Sequence, residues 1–387
     1  MHRDYKPYCD NPTNQHNIMA LVGNGFDIAA FKKCGRGKMM DKRPTYADFF
    51  DYITYWADEN ELKNNQIYMR MKEGKKEAES KGSKDKTWSD FELIIDDLCR
   101  MSGIDLHQLR IDLDYIQDWF SKFLNDLISA ETMIEINKEA MENQWADTTM
   151  SMFLGDLNGI NNVQLDFTNK LNHYDIFNFL FVDFNYSMML DNYLYLDRFQ
   201  FDSSTFKTVD RNFIFHPAPM IPGNMSSPNC DTTYSSYLIT EIVHPHGYMD
   251  IPRSMIFGTE LNGYDKHGDE RMFVKSHWAR DDIRYAHYFD NTELFIIFGM
   301  AISKTDAWWF NNIYESLLKK NAELIIYNYC SKKLQFPELS DDEVKKRFIE
   351  ACARKANDAK SDETVKRKIQ IVNMTDNNTY FLGFKRK

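Results

Sequence analysis

Asn185, His246, Ser303 and Asp306 each follow a short apolar run, and in α/β proteins ligands bind at the carboxyl ends of such strands. In D-F-N-Y-S (Asp183 to Ser187) the Asn185 amide can hold a water or a sugar hydroxyl through donor and acceptor together. The same residue can instead cap a following helix. In H-P-H-G (His244 to Gly247) two histidines stand one residue apart, but the Cys, Asp and Glu needed to complete a metal site are not clustered beside them. No metal is therefore expected. A strand-end histidine before glycine suits a general base, with a structural histidine as the plain alternative. In F-G-M-A-I-S-K-T-D (Phe298 to Asp306), Ser303 can cap a helix, and Asp306 can bind a ribose hydroxyl or face a helix dipole. Finally, G-N-G-F-D (Gly23 to Asp27) offers two glycines that let backbone turn and approach a ligand. A helix opening there would draw phosphate to its N–H groups.

These clusters need a scaffold of strands. Residues 18–22 read as a buried strand, as do 179–184, 213–215, 237–243, 255–257, 294–298, 324–327 and 369–372. Helical spacing covers 45–56, 88–101, 106–128, 131–144, 166–171, 188–194, 307–318 and 340–356. Thr45 with Asp48, and Ser340 with Glu343, look like capping boxes. The charged stretch 72–86 and the Pro- and Asn-rich stretch 217–231 read as loops. Alternation of short apolar strands with helices favours a parallel, doubly wound α/β sheet. We expect a Rossmann-like core whose first part is 1–100, a helical insertion over 101–175, and the rest of the core over 176–387.

Bulk properties narrow the function. In 387 residues, 43% hydrophobic and 14% aromatic content supply a packed core, while a net charge of −11 argues against coating nucleic acid. The six cysteines are scattered, which suits reduced thiols in a cytoplasmic protein. No signal peptide is visible, and the apolar stretch 294–302 is too short to cross a bilayer.

Taken in order, G-N-G-F-D, T-Y-x-D-F-F-x-Y-I (from Thr45), W-S-D-F-E (from Trp88), F-N-Y, H-x-H-G, I-F-G (from Ile256) and F-G-x-x-x-S-x-x-D resemble the AbiH family of bacteriophage abortive-infection proteins. The series is also similar, more distantly, to sirtuin-like NAD-binding domains of defence proteins. That resemblance implies a sirtuin-like Rossmann sheet acting on NAD as substrate: an NAD+ glycohydrolase that releases nicotinamide and ADP-ribose. Asn185 corresponds to the asparagine at the nicotinamide ribose and His246 to the base. Gly23, Asn24 and Gly25 would cradle the pyrophosphate, Ser303 and Asp306 would contact the adenosine ribose, and Phe26, Asp27, Tyr186, Gly247 and Gly299 complete the implied binding set. Three positions depart from the pattern: Ala301 stands where a serine is usual, and Asn24 and Asp27 stand where the first loop usually has Ala and Ser, Asp27 bringing a carboxylate. Ala301 and Asp27 motivate a second reading, a non-catalytic nucleotide or ADP-ribose sensor. A nucleic-acid-degrading effector is a third, opposed by the acidic balance and by the lack of a carboxylate cluster spaced for metals. Expected partners are NAD or a related nucleotide, a phage-derived trigger and further copies of the chain, with neither membrane nor nucleic acid.

Overall fold

The computed structural model describes residues 2–8, 14–82, 87–143, 165–167, 175–195, 213–215, 234–260, 269–330, 339–352, 358–375 and 381–383. Its centre is a seven-stranded sheet. The strands are β1 (Gln15–Val22), β2 (Ile176–Asp183), β3 (Phe213–Phe215), β4 (Tyr234–Val243), β5 (Leu294–Phe298), β6 (Glu323–Tyr329) and β7 (Ile369–Met374), in the order β3-β4-β2-β1-β5-β6-β7. Every pairing is parallel except that of β3, which runs antiparallel on the β4 edge. Leaving β3 aside, the parallel strands follow the order of a Rossmann-type doubly wound sheet, whose order reverses between β1 and β5.

β1 is buried on both faces, as an apolar run in the middle of a parallel sheet must be. Its residues alternate between two layers. Ile18, Ala20 and Val22 join the cluster that holds α1 (Asn24–Cys34), α2 (Tyr46–Trp56), α4 (Gln66–Ser80), α5 (Phe91–Cys99) and α6 (Leu106–Leu127). Met19 and Leu21 face the helices Ala307–Lys319 and Asp341–Ala351 across the sheet. Helices α2 to α6, with α3 (Glu59–Asn64) and α7 (Ala130–Asn143), all fall between β1 and β2 in the chain. They share one core with Ile18, Ala20 and Val22 of the sheet, and Phe91 also packs against Phe257.

Local signals explain most boundaries. Thr45 caps α2 by accepting from Asp48 N, and Ser340 with Glu343 forms a reciprocal capping box. Three expectations need correction. Stretch 72–86 is not a loop as far as Ser80: α4 continues to that residue, because Ile67, Tyr68 and Met71 bury its first turns while its charged side stays wet. Residues 83–86 lie outside the described residues. Residues 255–257 form no strand; they follow the 3-10 turn Pro252–Ser254, with Met255 N donating to Pro252 O. Residues 166–167 are a bend rather than a helix start, held where their N–H groups donate to Glu323. Stretches 168–171, 217–231 and 353–356 lie outside the described residues. Cys34, Cys99, Cys330 and Cys352 are buried and stand outside any disulfide among the described residues. Among the described residues, no helix is long and apolar enough to cross a membrane.

Candidate functional site

A cavity of about 690 Å³ opens at the carboxyl ends of β1, β2 and β5, where the strand order reverses. That is a usual size for a small-molecule site. Its wall includes Gly23, Asn24 and Asp27 after β1, Asn185, Tyr186 and Ser187 after β2, His246 after β4, and Ser303 and Asp306 after β5. Residues from all four sequence clusters therefore meet in one place.

Each is held by its own contacts. Asn185 N donates to Asp183 Oδ1 at 2.9 Å and its Nδ2 donates to Gly23 O at 3.3 Å. This leaves the Asn185 carbonyl oxygen as the group available to a ligand. His246 is buried between Phe184 and Tyr186, with Nε2 3.7 Å from Asp306 Oδ1. Burial, and then the nearby Lys275 ammonium, hold the imidazole well below its ordinary pKa, so it is neutral at pH 7. Tyr186 donates its hydroxyl to Ile256 O at 3.0 Å, and burial keeps that phenol protonated. Ser303 caps the turn Lys304–Asp306 by accepting from Thr305 N.

The G-N-G-F-D segment differs from the expected phosphate loop. Helix α1 begins at Asn24, and Gly23 N and Gly25 N donate to the carbonyls of Phe298 and Gly299 at 3.0 and 2.6 Å. A Cβ on Gly25 would sit 2.6 Å from Gly299 Cα. The glycines thus bring two strand ends into backbone contact, and these two N–H groups already have acceptors. Phe26 is fully buried against Tyr193 and, like Gly25, Gly247 and Gly299, lies behind the cavity wall rather than in it. Asn24 reaches from the wall to Pro44 O at 2.6 Å. Asp27 is buried and accepts from Ser187 Oγ at 2.6 Å, while burial raises its pKa to about 7.

Several participants were not singled out in the sequence. Lys275, only 2% exposed, donates to Asp306 Oδ1 at 2.7 Å and Glu92 Oε2 at 3.1 Å. Burial pushes the Glu92 carboxyl up to about 8, against the pull of Lys275, and Lys275 is held protonated by its two carboxylates despite burial. Asp90 caps α5 and lines the cavity beside Glu92. Arg43 adds a cation at the exposed rim, with no ion pair to any described residue. The W-S-D-F-E motif contained the signal for Asp90 and Glu92. Nothing in the sequence around Lys275 marked it. Its position follows from I-F-G-T: Gly258 passes so close to Phe273 O that a Cβ would meet it at 2.2 Å, and Thr259 then exchanges hydrogen bonds with Phe273 and Lys275.

The expectation that His244 lacks acidic neighbours holds along the chain but not in space. The fold brings Asp183 and Asp191 to it.

The sequence profile of the bacteriophage abortive infection AbiH family matches residues 19–328, which spans every cluster of the cavity. No curated protein matches the chain. The chain belongs to the AbiH family, and its role is accordingly in phage abortive infection.

Proposed function

We propose that this AbiH chain defends by hydrolysing NAD+ to nicotinamide and ADP-ribose in the strand-end cavity. The observation that carries the reading is the convergence of Asn185, His246, Ser303 and Asp306 on one cavity at the strand-order reversal. In this reaction the C1′–N bond breaks and its electron pair leaves with nicotinamide, which departs neutral. Water oxygen bonds to C1′ of the resulting oxocarbenium-like ribose, and the water proton passes to a base.

The Asn185 oxygen would accept from the attacking water or a ribose hydroxyl. His246, neutral and next to Asp306, would take the proton, the nearby carboxylate steadying the imidazolium so formed. Even with Glu92 and Asp27 pushed up to about 8 and about 7 by burial, the other acids of the lining, Asp41, Asp48, Asp90 and Asp306, outnumber Lys275 and Arg43, an electrostatic setting that favours a positively charged sugar. Arg43 at the rim is the group suited to the pyrophosphate, because the Gly23 and Gly25 amides are engaged elsewhere. Ser303 and Asp306 would meet the adenosine ribose. Dependence on a phage-derived trigger or on assembly of copies would keep the activity silent before infection.

Those engaged glycine amides also favour a second reading, a nucleotide or ADP-ribose sensor without turnover. The two separate on purified protein incubated with NAD+. Equimolar nicotinamide and ADP-ribose support the hydrolase. A ligand-induced rise in melting temperature without product supports the sensor.

A further inference from the structure

A second polar cluster adjoins the cavity wall at Asp27, Asn185 and Ser187. Asp183, the last residue of β2, is 0% exposed, and while Oδ1 accepts from Asn185 N, Oδ2 has no hydrogen-bond partner among the described residues. His244, directly after β4, lies 2.9 Å through Nε2 from Asp191 Oδ2. A carboxylate accepts, so Nε2 carries a hydrogen, and in the neutral ring Nδ1 then has a lone pair. That Nδ1 is buried and likewise unpartnered, 4.0 Å from Asp183 Oδ2. Asp27 adds a third such atom, Oδ1, since only its Oδ2 accepts from Ser187. Asp27 is also close enough to both His244 and Asp183 for their charges to interact.

Three buried polar atoms without a partner among the described residues are costly, and such groups call for an explanation. They come from α1, the end of β2 and the residue after β4, so the sheet itself gathers them. The 4.0 Å separation of Asp183 Oδ2 and His244 Nδ1 is too long for a hydrogen bond. Two ligands with bonds of about 2.1 Å to one ion lie about 3.0–3.4 Å apart in octahedral or tetrahedral geometry, so the pair would close by about 0.6–1 Å around an ion. The Asp191 contact to the other ring nitrogen is the outer-shell arrangement that orients metal-binding histidines.

We propose that Asp183 Oδ2 and His244 Nδ1 ligate a divalent transition-metal ion, with water completing its shell and Asp191 as the residue that positions His244. One imidazole with a carboxylate and no thiolate suits Mn2+ or Zn2+ over Mg2+, Ca2+ or Cu+. The ion would relieve the repulsion between Asp27 and Asp183. Through Asp183 Oδ1 it would also stiffen Asn185 at the cavity wall.

The test uses the full chain after chelator dialysis, titrated calorimetrically with MnCl2, ZnCl2 and, for comparison, MgCl2. One Mn2+ or Zn2+ per chain is expected, with a higher melting temperature. Asp183→Asn and His244→Gln should abolish saturable binding, and Asp191→Asn should weaken it about 10–100-fold. Mn2+ bound to the wild type should show the electron-spin-echo signature of a coordinated imidazole nitrogen, a readout that stands even if the variants do not fold. No saturable binding, unchanged binding in Asp183→Asn, or bound Mn2+ without that nitrogen would overturn the proposal, leaving ordered water as the bridge. None of these measurements uses NAD+, so the outcome is independent of the reading of the cavity.

Discussion

Lys275 Nζ lies 2.7 Å from Asp306 Oδ1 and 3.1 Å from Glu92 Oε2, so one buried ammonium joins the first turn of α5 to the turn after β5. Two carboxyl groups share a single cation in a place that water barely reaches. The arrangement fixes part of the cavity wall, and it places Asp306 beside His246.

Lys275→Met should therefore be strongly destabilising. Removing one partner of a buried ion pair strands the other and costs about 3–5 kcal/mol. Adding Asp306→Asn should recover part of the loss, because the carboxylate stranded closest to the lost ammonium is then neutral. Urea denaturation of the wild type, the single variant and the double variant measures both effects. Equal stability of wild type and Lys275→Met would mean that the ammonium is not held as described.

Stability should fall as pH rises from about 6.5 to 8. Burial raises Glu92 from 4.5 to about 8, so the folded chain keeps a proton there that the unfolded chain has released. The unfolded state then binds fewer protons, and the slope of stability with pH is negative. The contribution is complete below 4.5 and lost as pH passes through about 8. Asp27, raised from 3.8 to about 7, acts in the same direction. His246 acts oppositely: burial and Lys275 lower its pKa, so its contribution is present above 6.5 and lost as pH falls through the folded value. Above 6.5 the carboxyls alone set the trend of these three groups. Urea midpoints across this range should decline for the wild type and decline less for Glu92→Gln.

Gly25→Ala should destabilise by about 1–3 kcal/mol or more, the usual range for forcing atoms into filled space. Its Cβ would meet the Gly299 Cα and O at 2.6 and 2.7 Å, and both are backbone atoms that cannot swing away. Gly82→Ala is the control: that glycine has nothing within 4 Å of the added Cβ, although its φ of +61° adds some strain. Thermal melting should show a much larger drop for Gly25→Ala. Similar drops would contradict the tight joining of the β1 and β5 ends.

Much of the scaffold was legible in the sequence because residues 18–22, 179–182 and 294–298 are apolar runs with polar or glycine residues at their ends, the mark of strands buried on both faces. Caps such as Thr45 and Ser340 were readable because their partners lie three residues away. What failed depended on distant partners. Stretch 72–80 is mostly charged yet helical because Ile67, Tyr68 and Met71 anchor the turns before it. Gly23 and Gly25 looked like a ligand loop, and the Gly299 backbone that needs their missing side chains is more than 270 residues away. Lys275 becomes meaningful beside Glu92 and Asp306, and Asp183 and Asp191 become neighbours of His244 through strand pairing.

Asn185 and His246 should separate by role in a purified assay. Asn185→Ala should lower nicotinamide release by about 10²-fold, as expected when a reacting group loses its positioning contact. His246→Ala should cost about 10²–10⁴-fold, the usual worth of a general base. Both variants should keep cooperative melting, so that lost rate is not lost fold. Wild-type rates in both would remove these residues from the reaction.

The most direct test follows the NAD+ pool of phage-infected cells that carry the wild-type chain, Asn185→Ala or His246→Ala at matched abundance. Infection supplies whatever trigger the protein needs. The account predicts that NAD+ collapses and nicotinamide accumulates in the wild type before lysis, while both variants hold their NAD+ and lose protection. Protection by the wild type with an NAD+ pool as full as in the variants would contradict it.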